Sequence, residues 1–397
     1  MRSIELFAGA GGLGIGICNA GFKPVEVVEW DRWCCDTIRE NRTKGVSPVS
    51  EWPVPIEGDV RLVDFRRYEG QIELVSGGPP CQPFSLGGKH RGHNDTRDMW
   101  PEAVRVIRET KPRAFLFENV KGLTRAAFAS YLAYIVHQLT YPEILLKDDE
   151  AWHEHLARLE QHHTSRRRGA SGLTYRVVYR VLNAADYGVP QKRERVVFVG
   201  FRSDLGIQWS FPEPTHSFDA LAWEQYRSKE YWERHRLAKK SRYVITSRIL
   251  QRGIRLFDAP PTAAWRTTRD AIGDLPDPEF EPRKSQAIAN HKFQPGARSY
   301  PGHTGSPLDE PAKTLKAGVH GVPGGENMLV RPDGSLRYFS VRESARLQTF
   351  PDEYVFHGAW SETMRQLGNA VPVELANVVV ADIASVLKRF STDPKRV

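Results

Sequence analysis

The chain starts with a strand-like segment, Ile4–Phe7, that opens directly into Ala8-Gly9-Ala10-Gly11-Gly12-Leu13-Gly14 and then a helical stretch. No other feature limits the fold so strongly. Glycines let the backbone turn sharply and approach a ligand closely, and the following helix N-terminus offers unpaired N–H groups. An acid, Glu29, ends the next strand-like segment, where it is placed to hold ribose hydroxyls. The spacing Gly9-x-Gly11-x-x-Gly14 satisfies the dinucleotide fingerprint. Taken alone, the loop fits a nicotinamide enzyme and a methyl-donor enzyme equally well.

Further strand-like runs follow at Val25–Val28, Ile72–Val75, Ala114–Phe117, Tyr175–Leu182 and Val196–Phe201, separated by amphipathic stretches such as Trp100–Glu109 and Thr124–Leu139. That alternation predicts an α/β, Rossmann-like, doubly wound sheet covered on both faces. Ligands in such sheets bind beyond the strands' carboxyl ends. From about Asp204 the texture changes to Pro, Gly, Trp and Arg with many turn signals (FDAPP, DLPDP, YPGHTGSP, GVPGG). The apolar helix Val373–Leu387 then restores order. We therefore expect a discontinuous catalytic domain, 1–203 plus 362–397, and a smaller loop-rich domain, 204–361.

No run approaches the roughly 18 apolar residues of a membrane helix, and the N-terminus enters a strand without a leader pattern. Cys18, Cys34, Cys35 and Cys81 form neither a disulfide framework nor a C-x-x-C pair, so a reducing cytoplasm is expected. The first three read as small core residues. A net charge of +8 fits a polyanionic partner. His153, His155, His162 and His163 lack a ligand pattern of recognised spacing and read as a solvated face, with no metal.

Three constellations carry chemistry. Ile72–Val75 leads into Ser76-Gly77-Gly78-Pro79-Pro80-Cys81-Gln82-Pro83-Phe84-Ser85, where prolines fix the backbone around a displayed thiol. Ala114–Phe117 ends in Glu118-Asn119-Val120, a carboxyl at the end of an apolar strand and so suited to proton donation. In Gln191-Lys192-Arg193-Glu194-Arg195, strand alternation puts Gln191, Arg193 and Arg195 on one face. Two guanidiniums there suit a phosphate or a polar ring edge.

Together these resemble the cytosine-5 DNA methyltransferase family, in its motif order and over most of the chain. FAGAGGLG is followed by Glu29-Trp30 and Gly58-Asp59-Val60, then by Pro80-Cys81-Gln82, Glu118-Asn119-Val120 and Gln191–Arg195. After a variable region stand Arg342-Glu343-Ser344-Ala345-Arg346-Leu347-Gln348-Thr349-Phe350-Pro351 and Gly368-Asn369-Ala370-Val371-Pro372. The resemblance implies a methyltransferase domain that binds S-adenosylmethionine, and a target-recognition domain. It implies Cys81 as nucleophile toward carbon 6 of a flipped cytosine, Glu118 as proton donor to ring nitrogen 3, Arg195 on the base carbonyl and Arg193 on anionic groups. Phe7, Ala8, Gly9, Ala10, Gly11, Glu29, Trp30, Asp59, Val60, Pro80, Asn369 and Val371 are then expected around the cofactor. Gln82, Ser85, Asn119 and Gln191 are expected near DNA. Ser85–Arg97 reads as a lid over the base, Lys229–Arg255 as a phosphate-binding surface, and His303–Asn327 as base-reading loops. Met99-Trp100-Pro101 departs from the family pattern, which removes the basis for a cofactor contact at Trp100. The setting implied is a prokaryotic, nucleoid-associated monomer acting on double-stranded DNA and paired with a restriction endonuclease. The rivals are an RNA cytosine-5 methyltransferase and a catalytically inactive DNA-binding relative.

Overall fold

A computed structural model describes residues 1–80, 98–165, 172–238, 247–301, 304–318 and 327–390. Strands β1 (Arg2–Leu6), β2 (Lys23–Glu29), β3 (Ile56–Glu57), β4 (Leu74–Gly77), β5 (Ala114–Val120), β6 (Tyr175–Asn183), β7 (Gln191–Lys192) and β8 (Glu194–Arg202) organise the first half. All but β7 form a seven-stranded sheet in the order β3-β2-β1-β4-β5-β8-β6. The first five are parallel, whereas β8 runs antiparallel to both β5 and β6. Only a one-turn helix, Ala184–Tyr187, and the short β7 separate β6 from β8, too little chain for a parallel crossover.

Period-two alternation sorts the strand residues onto two faces. Ile4, Leu6, Val75, Phe115, Phe117, Val196 and Phe198 pack under helices Trp100–Thr110 and Ala129–Thr140. Leu74, Ala114, Leu116, Val197 and Val199 pack under helices Gly12–Asn19 and Val373–Arg389. Burying both faces explains why these strands read as continuous apolar runs. Glu5 is a charged exception, 2% exposed in β1, and takes hydrogen bonds from the hydroxyls of Ser3 and Ser76.

The stretch Trp360–Arg389 is long and apolar enough to cross a membrane by composition, but 67% of its apolar window is buried inside the protein. A third core cluster joins Ala10, Ile15, Val27 and Trp52 to Val341, Phe350, Tyr354 and Leu367. Between residues 204 and 340 the described elements are short helices and two- or three-residue strands. Buried and half-buried ion pairs join them, as do small apolar clusters. Arg337 meets Glu343 at 2.6 Å, Arg331 meets Asp277 at 3.0 Å and Arg269 meets Asp309 at 2.6 Å.

The four histidines do not share a solvated face, contrary to the sequence reading. His155 is 1% exposed and bonded to Tyr134 Oη (2.9 Å) and the Ile144 carbonyl (3.0 Å). A helix with apolar Leu156 and Leu159 beside it turns that imidazole inward. Among the described residues no group of three or more His, Cys, Asp or Glu is arranged to hold a metal.

Candidate active site

From β1 the chain proceeds to β2 and β3 on one side, then returns to β4 and β5 on the other. The carboxyl ends of β1 and β4 therefore diverge into a crevice. There lies a cavity of about 430 Å³, lined by Phe7–Gly9, Glu29–Asp31, Gly78–Pro80, Glu118–Val120, Arg195 and Asn369–Val371, with Gly12, Leu13, Cys34, Arg365 and Gln366. A volume of several hundred Å³ is the usual size of a cofactor site.

At the β1 end the loop is shaped around Glu29. Gly9, at φ +55°, donates its N–H to Glu29 Oε2 (2.6 Å), and Asp31 N–H donates to Oε1 (2.7 Å). Burial pushes the Glu29 pKa up, and these two N–H groups oppose the rise. Each oxygen retains a second lone pair for a hydroxyl. Phe7 sits at φ +52°, a conformation that is costly for an aromatic residue and that clusters at ligand sites. Trp30 is 68% exposed beside it, a bare aromatic face at the cavity wall.

At the β4–β5 end, Asn119 Nδ2 donates to the Pro79 carbonyl (3.0 Å), which ties the end of β5 to the turn leading toward Cys81. Arg195 Nε lies 2.7 Å from Glu118 Oε1, with the two side chains 13% and 10% exposed. The contact is an ion pair rather than an aligned hydrogen bond, because Oε1 has no hydrogen-bond partner. Burial lowers the Arg195 pKa and the Glu118 charge opposes that. An acid and a cation held over one cavity can bind a polar ring edge and exchange a proton with it.

The structure gathers Phe7, Ala8, Gly9, Glu29, Trp30, Pro80, Glu118, Asn119, Arg195, Asn369 and Val371 at this cavity. Cys81, Gln82, Ser85 and the segment Ser85–Arg97 lie outside the described residues, as does much of His303–Asn327. Other expected residues stand elsewhere. Ala10 and Gly11 are behind the loop, where the Ala10 carbonyl accepts from Tyr354 Oη (2.7 Å). Asp59 caps the turn Val60–Leu62 and grips the Arg61 guanidinium at 2.8 and 2.9 Å. Val60 is buried, with its carbonyl taken by Arg105 (2.8 Å).

Two corrections concern the strand face read as catalytic. Arg193 is fully buried and, among the described residues, forms no ion pair: its Nη1 donates to the Leu315 carbonyl (3.0 Å) and its Nη2 to the Gly368 carbonyl (2.8 Å). Gln191 is equally buried, accepting from Leu315 N–H (3.0 Å) and donating to the Leu347 carbonyl (3.1 Å). Of the three residues, Arg195 alone lines the cavity. Trp100, 0% exposed, stacks edge-on against Phe117 and Phe198 in the core.

Sequence reasoning missed Asp31 and Arg365, which pair at 2.9 Å across the cavity wall. Asp31 had a readable signal: it caps helix Arg32–Thr43 by accepting from Cys34 N–H. Arg365 had none. Cys18, Cys34 and Cys35 are unreactive by environment. Burial raises the Cys18 and Cys35 pKa values to about 12 and the Cys34 thiol well above its ordinary value.

A model of the C-5 cytosine-specific DNA methylases matches residues 1–141 and 169–385. The type II methyltransferase M.PspPI of Psychrobacter sp. is 32% identical, over 99% of this chain and 80% of its own length. M.NgoMIV of Neisseria gonorrhoeae is 30% identical, over 98% of both chains. Among solved structures, a prophage-encoded putative DNA modification methyltransferase of E. coli superposes with a TM-score of 0.60 at 19% identity, covering 98% of this chain and 99% of that one. The S. pombe Dnmt2 methyltransferase superposes with a TM-score of 0.56 at 15% identity and the same coverage. Those two likenesses bear on the fold alone. With the family model spanning most of its length, the chain belongs to the C-5 cytosine-specific DNA methylases and is a DNA cytosine-5 methyltransferase.

Proposed function

We propose that the protein transfers a methyl group from S-adenosylmethionine to carbon 5 of a cytosine flipped out of a specific duplex sequence, through a transient bond to Cys81. The observation that carries this reading is the Glu118–Arg195 pair at the cavity wall beside the Pro79–Pro80 turn, one residue before Cys81. The cofactor fits the donor set: a half-buried carboxylate with free lone pairs at Glu29, an exposed indole at Trp30, and a wall closed by Asn369 and Val371. When bound, the sulfonium supplies an electrophilic methyl.

The remaining chemistry belongs to the chain. Cys81 adds as thiolate to carbon 6 while Glu118 gives a proton to ring nitrogen 3, which raises electron density on carbon 5. Arg195 holds both Glu118 and the base carbonyl. After methylation, the carbon 5 proton leaves to a base, the Cys81–carbon 6 bond breaks with Cys81 leaving as thiolate, and the proton on ring nitrogen 3 returns to Glu118, restoring the ring and the acid. Flipping costs a few kcal/mol, met by contacts to the extruded base.

Residues 204–340 are proposed to contact DNA. We draw the boundary near 340 rather than 361, since Val341, Phe350 and Tyr354 pack with Ala10 and Val27. Basic residues from Lys229 to Arg255 would meet phosphates. We further propose a monomer working in a prokaryotic cytoplasm as partner of a restriction endonuclease; the relatives are type II methyltransferases of bacteria.

The test offers the protein, with methyl donor, duplex DNA bearing 5-fluorocytosine at its target. A permanent adduct should form through Cys81, and Cys81→Ser should abolish both adduct and turnover. A serine variant that still methylates, or a cross-link through another side chain, overturns the assignment. The same assay on tRNA should give no methylation.

A further inference from the structure

The segment Glu310–Lys316 is fastened along β7 by contacts that continue, through one side chain, to the cofactor wall. Ala312 and Lys313 pair in parallel with Gln191 and Lys192. Lys192 meets Glu310 at 3.1 Å, and Thr314 Oγ1 donates to the Lys192 carbonyl at 2.6 Å. Gln191 then grips Leu315 N–H, and Arg193 grips the Leu315 carbonyl, so both polar groups of one peptide residue are held from one strand face. Asn327 fixes the next residue by accepting from Lys316 N–H (3.0 Å) and donating to the Lys316 carbonyl (2.9 Å).

Arg193's second arm reaches Gly368 O, near the end of helix Trp360–Asn369. The last carbonyls of a helix have no partner inside it, and a cation there also meets the negative end of the helix dipole. The next residues, Asn369, Ala370 and Val371, line the cavity. The approach is tight: a Cβ on residue 368 would fall 2.2 Å from Ala317 N, so the recognition segment and the cofactor turn touch backbone to backbone. Among the described residues Arg193 makes no ion pair, the Glu118 charge acting on it only at a distance, and burial pushes its pKa well down. A planar guanidinium with two donors in fixed relation holds two carbonyls at a set separation, which a flexible ammonium cannot do.

We propose that Arg193 is a positioning residue that couples the DNA-contacting region to the cofactor wall, so that duplex and cofactor each strengthen the binding of the other. Duplex contacts that favour this arrangement of Glu310–Lys316 also favour the held position of Leu315 and, through the fork, of Gly368 and the Asn369–Val371 turn. A cofactor that favours the same arrangement of the turn is then bound more tightly, and the converse holds. Linkage makes the effect reciprocal. The inference rests on the reading that residues 204–340 contact duplex DNA.

The measurement is the dissociation constant of S-adenosylhomocysteine by calorimetry, without DNA and with a saturating duplex already shown by bisulfite sequencing to be methylated. Wild type should bind at least about fivefold more tightly with the duplex, within the usual range for coupled sites. In Arg193→Met that ratio should fall below about twofold. In Arg193→Lys, which keeps the charge but reaches one carbonyl at a time, it should fall by at least about half, and this variant serves if the methionine variant does not fold. A purely structural Arg193 would weaken binding equally with and without DNA, leaving the ratio intact, and that result overturns the proposal. So does a wild-type ratio near one. Wild type that methylates the duplex but shows an unchanged ratio in both variants refutes only the coupling, whereas wild type that fails to methylate any duplex refutes the underlying reading.

Discussion

Glu5 gives a quantitative test of how the sheet is held together. It lies in β1, an inner strand of the sheet, fully enclosed, and burial raises its pKa from 4.5 to about 7, with the Ser76 and Ser3 hydroxyls opposing the rise. Below pH 4.5 the carboxyl is protonated in both folded and unfolded chains. Between 4.5 and 7 the folded chain holds a proton that the unfolded chain has released, so stability falls as pH rises across that window. At about 1.4 kcal/mol per pH unit, the loss reaches about 3 kcal/mol by pH 8. Glu5→Gln removes the titration while keeping the shape, and a serine hydroxyl can accept from the amide as well as donate to its oxygen. Urea unfolding of both proteins at pH 5 and pH 8 separates this group from every other that titrates. The variant should be within about 1 kcal/mol of wild type at pH 5 and more stable at pH 8, with the gap widening by about 2.5 kcal/mol. A gap of the same size at both pH values would refute the argument, because Glu5 would then carry the same charge in both states.

Glu29→Gln should weaken S-adenosylhomocysteine binding about tenfold or more in calorimetry, since a hydrogen bond to a charged group contributes about 1.5–3 kcal/mol; an unchanged affinity would take Glu29 off the ligand. Arg337→Met leaves Glu343, 1% exposed, without its 2.6 Å partner. It should cost about 3–5 kcal/mol, and Arg337→Met combined with Glu343→Gln should recover much of that in the same melting experiment. Duplex affinity should fall linearly with salt on logarithmic axes. Arg252 already pairs with Asp219 at 2.5 Å, so Arg252→Gln should change that slope less than Arg255→Gln.

The sheet was legible because a strand buried on both faces must be apolar almost throughout, and Ile72–Val75 or Ala114–Phe117 have few other uses. Glu5 was opaque for the converse reason: its tolerance depends on Ser76, which lies 71 residues away in sequence. Alternation put Gln191, Arg193 and Arg195 on one strand face, yet their roles did not follow from it. What lies opposite is set by Leu315 and Gly368, 122 and 175 residues from Arg193. Arg342 teaches the same lesson from the RE-x-ARLQ segment. Its donors go to the carbonyls of Ala289, Pro351 and Tyr354, so that arginine spacing marks a backbone clamp and no ligand. Asp59 and Val60 were expected at the cofactor from their place in a motif, but a neighbouring arginine, Arg61, takes the Asp59 carboxylate in the described geometry.

Charge divides the labour between this cavity and the rest of the surface. The cavity is lined by three carboxylates, Glu29, Asp31 and Glu118, against two guanidiniums, Arg195 and Arg365. Both guanidiniums face acids, Arg195 at Glu118 and Arg365 at Asp31 and Glu362. A polyanionic backbone gains little from entering such a site, whereas a positively charged sulfonium donor and a neutral pyrimidine ring meet no repulsion there. The chain as a whole carries +8, so its excess of cations must lie outside the cavity, where phosphates are met at long range. On the proposed mechanism, attraction for the duplex and selection of the extruded base are thus separate physical tasks, and the acid–arginine pairing at the cavity would keep them apart.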